Sequence, residues 1–183
     1  MRKSGTEQFD VLVAPHLGAL FRVAYRLVGN TADAQDLVQD TCIAACENPV
    51  DLDTARHPVR WLLRVLHNRF IDGARRRKRT PVVALEEVSA TARMISSEPG
   101  PEAQLVQDES ERLLHQAFLQ LDPMQRTLLS LRAEGHDLAE IEAITGVGRD
   151  VLRARLHRAR RSLAQQLNTQ AAEPHTVRAG SHA

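Results

Sequence analysis

The sequence predicts an all-α protein: two small helical domains joined by a flexible acidic linker. Three observations predict it. Aromatic residues are only 3% of the chain while 43% is hydrophobic, so Leu, Ala, Val and Ile must build the core, which favours helices over aromatic-rich sheets. Apolar residues recur at steps of three and four on both sides of a polar stretch over residues 80–104. Basic residues gather in two separate blocks although the formal net charge is only +1. Each core is expected to be modest, built from fewer than about 100 residues.

The first domain, residues 8–79, reads as three helices. From Gln8 to Val28, Phe9, Leu12, Val13, Leu17, Leu20, Phe21, Ala24, Leu27 and Val28 mark one apolar face. Gly29-Asn30 is a natural stop, since both tolerate positive φ. Thr31 is the expected N-cap of the second helix, with Asp33 in its electropositive first turn. That helix carries Ala34, Leu37, Val38, Thr41, Cys42 and Ala45 on one side and ends before Pro49. A loop follows to His57. Pro58 suits the first turn of a third helix, running to about Arg77 with Leu62, Val65, Leu66 and Phe70 inward.

Between the domains, Pro81, Ser89, Ser96, Ser97, Pro99, Gly100 and Pro101 break any periodic pattern, and Glu86, Glu87, Glu98 and Glu102 make the stretch acidic. The second domain, residues 105–167, opens with a helix over 105–121 whose stripe is Leu113, Leu114, Ala117 and Leu121. Asp122-Pro123 is an N-cap followed by a first-turn proline, and a fifth helix follows to Glu134. A short helix over 138–145, the turn Gly146-Val147-Gly148 and an arginine-rich helix over 150–167 make the pattern of a helix-turn-helix. The polar tail, residues 168–183, is expected to be disordered.

The near-neutral total hides a strong partition of charge. Residues 31–55 carry six carboxylates and no Lys or Arg, whereas Arg56 to Arg79 holds nine basic residues against Asp72 alone. A second arginine block runs from Arg149 to Arg161. Two basic stretches of this kind suit a polyanion at two surfaces. In the last helix, Leu152, Leu156, Ala159 and Leu163 should face the core, leaving Arg149, Arg153, Ala154, His157, Arg158 and Arg161 on the open side. A helix entering the major groove reads bases with its N-terminal residues and holds phosphates with the rest. Arg153 and His157 are then placed for base edges; Arg158, Arg160 and Arg161 for phosphates. A solvated arginine-rich face is the plainer alternative.

The first basic stretch sets Trp61 among Arg60, Arg64, His67, Asn68 and Arg69. Basic groups around a flat ring suit a separated strand, although a lone tryptophan is more often core, and core packing is the preferred reading of Trp61. The run from Arg75 to Arg79 suits phosphates. On the second helix Asp33, Asp36 and Asp40 share a face beside Gln35 and Gln39. That face suits a basic protein surface with Leu37 and Val38 as apolar anchors, better than a water-open metal site; a merely solvated face is the remaining alternative. Cys42 and Cys46, four apart on that helix, read as two small buried hydrophobes, because zinc would need two further ligands that the sequence does not place beside them.

In this order the motifs resemble a known family, the extracytoplasmic-function (ECF) sigma factors of bacterial RNA polymerase. Asp33-Ala34-Gln35-Asp36-Leu37-Val38-Gln39-Asp40-Thr41 is similar to the polymerase-binding motif of their region 2. Trp61-Leu62 with Asn68, Ile71-Asp72 and Arg75 is similar to the segment that melts and recognises the −10 element. Leu121-Asp122-Pro123-Met124-Gln125-Arg126, Glu140-Ile141 and Arg155-Leu156-His157-Arg158-Ala159-Arg160 resemble region 4, which binds the −35 element. The likeness covers residues 8–167 apart from the linker.

The resemblance implies a factor that directs core RNA polymerase to promoters and assists DNA melting. Asp33, Asp36, Leu37, Val38, Gln39 and Asp40 would dock on the β′ coiled coil, with the β flap as a second polymerase contact. Arg56, Arg60, Trp61, Arg64, Asn68, Arg69, Arg75 and Arg76 would meet the −10 element, and the loop from Asn48 to His57 would capture an unstacked base. Arg149, Arg153, Ala154, His157, Arg158 and Arg161 would meet the −35 element. An anti-sigma factor is a possible further partner in this family. Four departures from its usual pattern stand out: Cys42 for a large apolar residue, Leu66 for Ala, Asp150-Val151 for Gly-Thr, and Ala154 for Ser.

Two rival functions fit the sequence less well. A polymerase-independent helix-turn-helix regulator would leave the acidic helix and the Trp61–Arg79 stretch without a purpose. A metal-dependent hydrolase on Asp33, Asp36 and Asp40 lacks a general-base histidine, a phosphate-cradling glycine loop and a nucleophile. The expectation is therefore a non-enzyme with no cofactor and no metal. Met1–Asp10 has no apolar stretch after its basic pair, and no run approaches the roughly 18 apolar residues of a membrane span, so a cytoplasmic protein without membrane insertion is expected.

Overall fold

Pro15 decides where the first long helix begins. The expected helix from Gln8 is interrupted by a single 3₁₀ turn, Ala14–His16, with Pro15 in its first positions, and α1 runs over Leu17–Val28. Proline lacks an N–H and its ring clashes with the carbonyl four residues back, so the apolar periodicity crosses a point where the backbone cannot stay α-helical. The computed structural model describes residues 11–48, 56–79 and 101–172. The expected start at Gln8–Asp10, the loop over 49–55, the linker over 80–100 and the tail over 173–183 lie outside the described residues.

Gly29 ends α1 with φ +87°, donating its N–H to the Tyr25 carbonyl at 2.8 Å. The next helix, α2, spans Thr31–Glu47, and its N-cap is Asn30 rather than Thr31. Asn30 has extended backbone, and its Oδ1 accepts from the Asp33 N–H at 2.8 Å while its Nδ2 donates to the Asp33 carboxylate at 2.9 Å. Asn ranks above Thr as a cap, and here it satisfies one orphan N–H and fixes a first-turn acid together. Helix α3 spans Pro58–Arg79 and buries Leu62, Leu63, Leu66, His67 and Phe70; Val65, expected inward, is half-buried.

In the second region α4 spans Pro101–Leu119, so residues 101–104, assigned above to the linker, are helical. Ala117 and Leu121 of the expected stripe are buried, but Leu114 is 46% exposed. Helix α5, Pro123–Ala133, begins in a capping box: Asp122 accepts from the Gln125 N–H at 2.9 Å and Gln125 Oε1 accepts from the Asp122 N–H at 3.2 Å. Asp137 and Glu140 make a second box at the start of α6, Leu138–Thr145. Gly146, at φ +71°, turns the chain toward α7, Arg149–Ala172, which continues through residues 168–172 of the expected tail.

The two regions do not stand apart. Leu20, Val23, Leu27, Leu62, Leu66 and Phe70 from the first belong to one continuous core with Leu128, Leu131, Ile141, Ile144, Leu152 and Leu156 from the second. Helix α1 packs on α4 and α5, and α3 packs on α5 and α6. Shared burial offsets the weakness of two small cores.

Candidate nucleic-acid and protein interfaces

Helices α6 and α7 with the Gly146–Gly148 turn between them form the helix-turn-helix. Leu152, Leu156 and Ala159 are buried and Leu163 is half-buried, so the inward face is as the spacing predicts. Arg149, Arg153, Ala154, His157, Arg158 and Arg161 are all exposed. Two of the arginines are engaged. Arg149 Nε donates to Glu142 at 2.7 Å, and Arg153 Nη1 donates to Asp150 at 3.0 Å. Asp150 lies inside the first turn of α7, its carboxylate balanced by Arg153.

On α3, Arg64, Asn68, Arg69, Arg75 and Arg76 are exposed, as is Arg56 ahead of the helix. Arg75 Nη1 donates to Asp72 at 3.4 Å, within the helix. Arg60 and Trp61 differ from this group, because both are half-buried. Arg60 Nη2 reaches Glu140 of α6 at 3.5 Å, and its Nε is buried without a partner. Trp61 packs against the shared core.

On α2, Asp33, Asp36, Gln39 and Asp40 are exposed, while Leu37 and Val38 are half-buried against the core. The apolar group on the outer face is Ile43, 46% exposed and four residues beyond Gln39. The helical spacing that groups the carboxylates also reaches it. A groove between α2 and α3 has Asp33, Asp36 and Asp40 on one wall and Arg69, Arg76 and Arg77 on the other. Cys42 is half-buried, and burial with Cys46 nearby pushes its thiol pKa up; Cys46 is exposed, contrary to the expectation that both are buried. Ala34, Thr41 and Ala45 already fill the inward positions on that side of α2.

The polar contacts between the regions were not visible in the sequence. Glu134, just past α5, receives hydrogen bonds from Arg22 and Arg26 of α1. Burial alone would raise its pKa, but the bonds and charges of the two guanidiniums bring it below the ordinary value. Arg126 of α5 lies over the Phe70 ring at 5.2 Å and donates to the Leu27 carbonyl at 2.5 Å. Buried His67 meets Thr127 at 3.2 Å. The Thr127 hydroxyl already donates to the Pro123 carbonyl, so His67 Nδ1 must be the donor. Tyr25 stacks on His115 with centroids 5.5 Å apart.

The chain is similar to known proteins in both parts. Residues 12–80 match the family Sigma-70 region 2, and residues 111–163 match Sigma-70, region 4. ECF RNA polymerase sigma factor SigL of Mycobacterium tuberculosis is 32% identical over 151 residues, covering 81% of this chain and 82% of that protein. ECF RNA polymerase sigma factor SigE of Mycolicibacterium smegmatis is 34% identical over 166 residues, covering 90% of this chain but 63% of that protein's length. Among solved structures, the sigma factor RpoE from Bartonella quintana, in complex with the anti-sigma factor NepR, has the same fold. Its TM-score is 0.67 at 24% identity, covering 89% of this chain and 96% of that one.

Proposed function

Because this chain belongs to the ECF RNA polymerase sigma factors, we propose that α2 holds it on core polymerase while α3 and α7 engage the two halves of a promoter. The observation that carries the assignment is the outward face of α7, where six side chains chosen for DNA contact are all exposed while Leu152, Leu156 and Ala159 are buried. A helix built this way lies in the major groove, with Arg158 and Arg161 on phosphates and the first turn on base edges.

For polymerase, the contact is the acidic face Asp33, Asp36, Gln39 and Asp40, with Leu37 and Val38 half-buried at its edge and Ile43 as its exposed apolar member. A carboxylate face steers toward a basic surface such as the β′ coiled coil, and the β flap supplies the second polymerase contact. Arg56, Arg64, Asn68, Arg69, Arg75 and Arg76 are open to the −10 strand as the chain stands; Arg60 joins them when it releases Glu140 of α6, and Trp61 offers the strand only its exposed part. Neither region alone offers many contacts, so tethering both to polymerase raises their effective concentration at the promoter. The protein acts in the cytoplasm as an initiation factor rather than an enzyme. Among the described residues no helix is long and apolar enough to cross a membrane. An anti-sigma factor is a proposed partner, as NepR is for RpoE.

Run-off transcription with purified core polymerase, the full chain and the DNA upstream of its own gene tests the reading. Initiation that depends on the chain is the expected result. Binding to that DNA without polymerase, with no retention on core polymerase, would replace it with the free-standing regulator. Asp36→Ala with Gln39→Ala should weaken polymerase retention without unfolding, because both side chains are exposed; normal retention would move the docking face elsewhere.

A further inference from the structure

Val151 stands in the first turn of α7 and is 48% exposed. An exposed valine is ordinary by itself; its neighbours give this one a meaning. Ala154, Arg158 and Arg161 follow it at steps of three, four and three, so the four side chains form one row along the helix, away from Leu152, Leu156 and Ala159. The row is uncharged over the first turn and cationic beyond it. The two arginines nearest that uncharged end, either of which can fork onto a guanine, are each held by a carboxylate: Arg149 by Glu142 at 2.7 Å and Arg153 by Asp150 at 3.0 Å.

A helix seated in the major groove presents its N-terminal residues to base edges. Val151 and Ala154 have no hydrogen-bonding side chain to offer there. A guanine or cytosine edge beneath them would lose water and gain no partner, which is unfavourable. Only thymine carries an apolar group in the major groove, its 5-methyl. Resting on the promoter-binding reading above, we infer that Val151, with Ala154 beside it, is a thymine-methyl reader that sets the −35 preference of this protein. Arg158 and Arg161 on phosphates hold the first turn at the depth this contact needs.

The test uses holoenzyme formed from core polymerase and the full chain, on the promoter recovered by run-off transcription. Each −35 thymine is replaced in turn by deoxyuridine, which removes one methyl and leaves the pairing and groove acceptors intact. Uracil at one or two adjacent positions should weaken binding about fourfold each, the value of one buried methyl. Val151→Ser should bind the thymine promoter as weakly as wild type binds the uracil one and should no longer distinguish them, whereas Val151→Ile should keep the distinction. The site is exposed, so both variants should melt like wild type. Indifference of wild type to uracil at every −35 thymine, undiminished discrimination in Val151→Ser, or a −35 element with no A·T pair beneath this turn would each overturn the inference. Footprinting separates the two levels: a protected −35 duplex with uracil indifference sinks the methyl reader alone, and absence of protection sinks the promoter-binding reading with it.

Discussion

Arg22 and Glu134, 112 positions apart in the chain, meet in a forked ion pair. Arg22 Nη2 lies 2.7 Å from Oε2, and its Nε lies 3.2 Å from both carboxylate oxygens. Arg26 Nη1 closes on Oε1 at 2.6 Å. The Glu134 side chain is only 10% exposed. A carboxylate at the C-terminal end of α5 opposes the helix dipole, so the partners on α1, not the helix it follows, account for its place. The pair fastens region 2 to region 4 in the arrangement that also ties Arg60 to Glu140.

Glu134→Ala should therefore loosen the two regions. It removes charge-assisted bonds worth about 1–3 kcal/mol, a range tempered by the partial exposure of both arginines. Small-angle scattering should show a larger radius of gyration, and hydrogen exchange should rise in α3 and α6 where they face each other. An unchanged radius would make the ion pair incidental to the packing. The acid response has the same sign: Glu134 titrates lower folded than unfolded, so its contribution is present above its ordinary value of 4.5 and is lost as pH falls through the lower folded one.

His67 gives a second, higher-lying acid response. Burial, with Arg75 nearby and Asp72 opposing, lowers its pKa from 6.5 to about 4. The unfolded chain therefore takes up a proton that the folded chain refuses. Stability is fully present above pH 6.5 and declines as pH falls toward 4, by roughly 3 kcal/mol at the end of that window. Melting temperature followed across this range should fall in wild type and fall less in His67→Gln, which keeps an N–H donor for Thr127 but does not titrate. Parallel curves would show that His67 is not the titrating group.

What the sequence disclosed, and what it withheld, divides by range. The N-cap Asp122, the Gly146 turn and the inward face Leu152, Leu156 and Ala159 are local, and the sequence alone predicts them. Pro15 and Asn30 are local too, but the apolar periodicity through residues 8–28 masks the first and the neighbouring cap candidate Thr31 masks the second. Nothing local pairs Arg22 with Glu134 or Arg126 with Phe70, because those signals exist only once α1, α3 and α5 meet. One signal was available. His67 interrupts the inward stripe Leu63, Leu66 and Phe70, and a polar group at a core position asks for a partner. For the same reason Arg60 reads as an open DNA contact, whereas it reaches Glu140 where α6 packs on α3.

Gly29 is held by two constraints at once. Its φ of +87° is disfavoured for any residue with a Cβ, and a Cβ there would lie 2.6 Å from Leu119 Cδ1 of the other region. Gly29→Ala should cost at least about 1–2 kcal/mol from backbone conformation alone, with a further loss from displacing Leu119. Leu119→Ala in the same chain should restore only that further loss. If Gly29→Ala and the double variant melt together, α4 does not press on this turn in solution.

Arg126 offers the sharpest test of the interface between the regions, because both its contacts cross it. Its guanidinium lies over Phe70 and donates to the Leu27 carbonyl, one of the acceptors left without an intrahelical partner at the end of α1. Burial, with Arg77 nearby and Asp122 opposing, lowers its pKa, yet a guanidinium remains a cation at any working pH. Arg126→Met keeps much of the stem and should cost about 1–3 kcal/mol through the lost carbonyl bond and ring contact. Arg126→Lys should recover little, since an ammonium does not stack flat on the ring while reaching the carbonyl. In a double-mutant cycle with Phe70→Leu, a coupling of about 0.5–2 kcal/mol is expected from the cation–ring contact. Zero coupling, with full stability in Arg126→Lys, would mean that Arg126 contributes charge alone and that the regions are joined by their apolar core and Glu134.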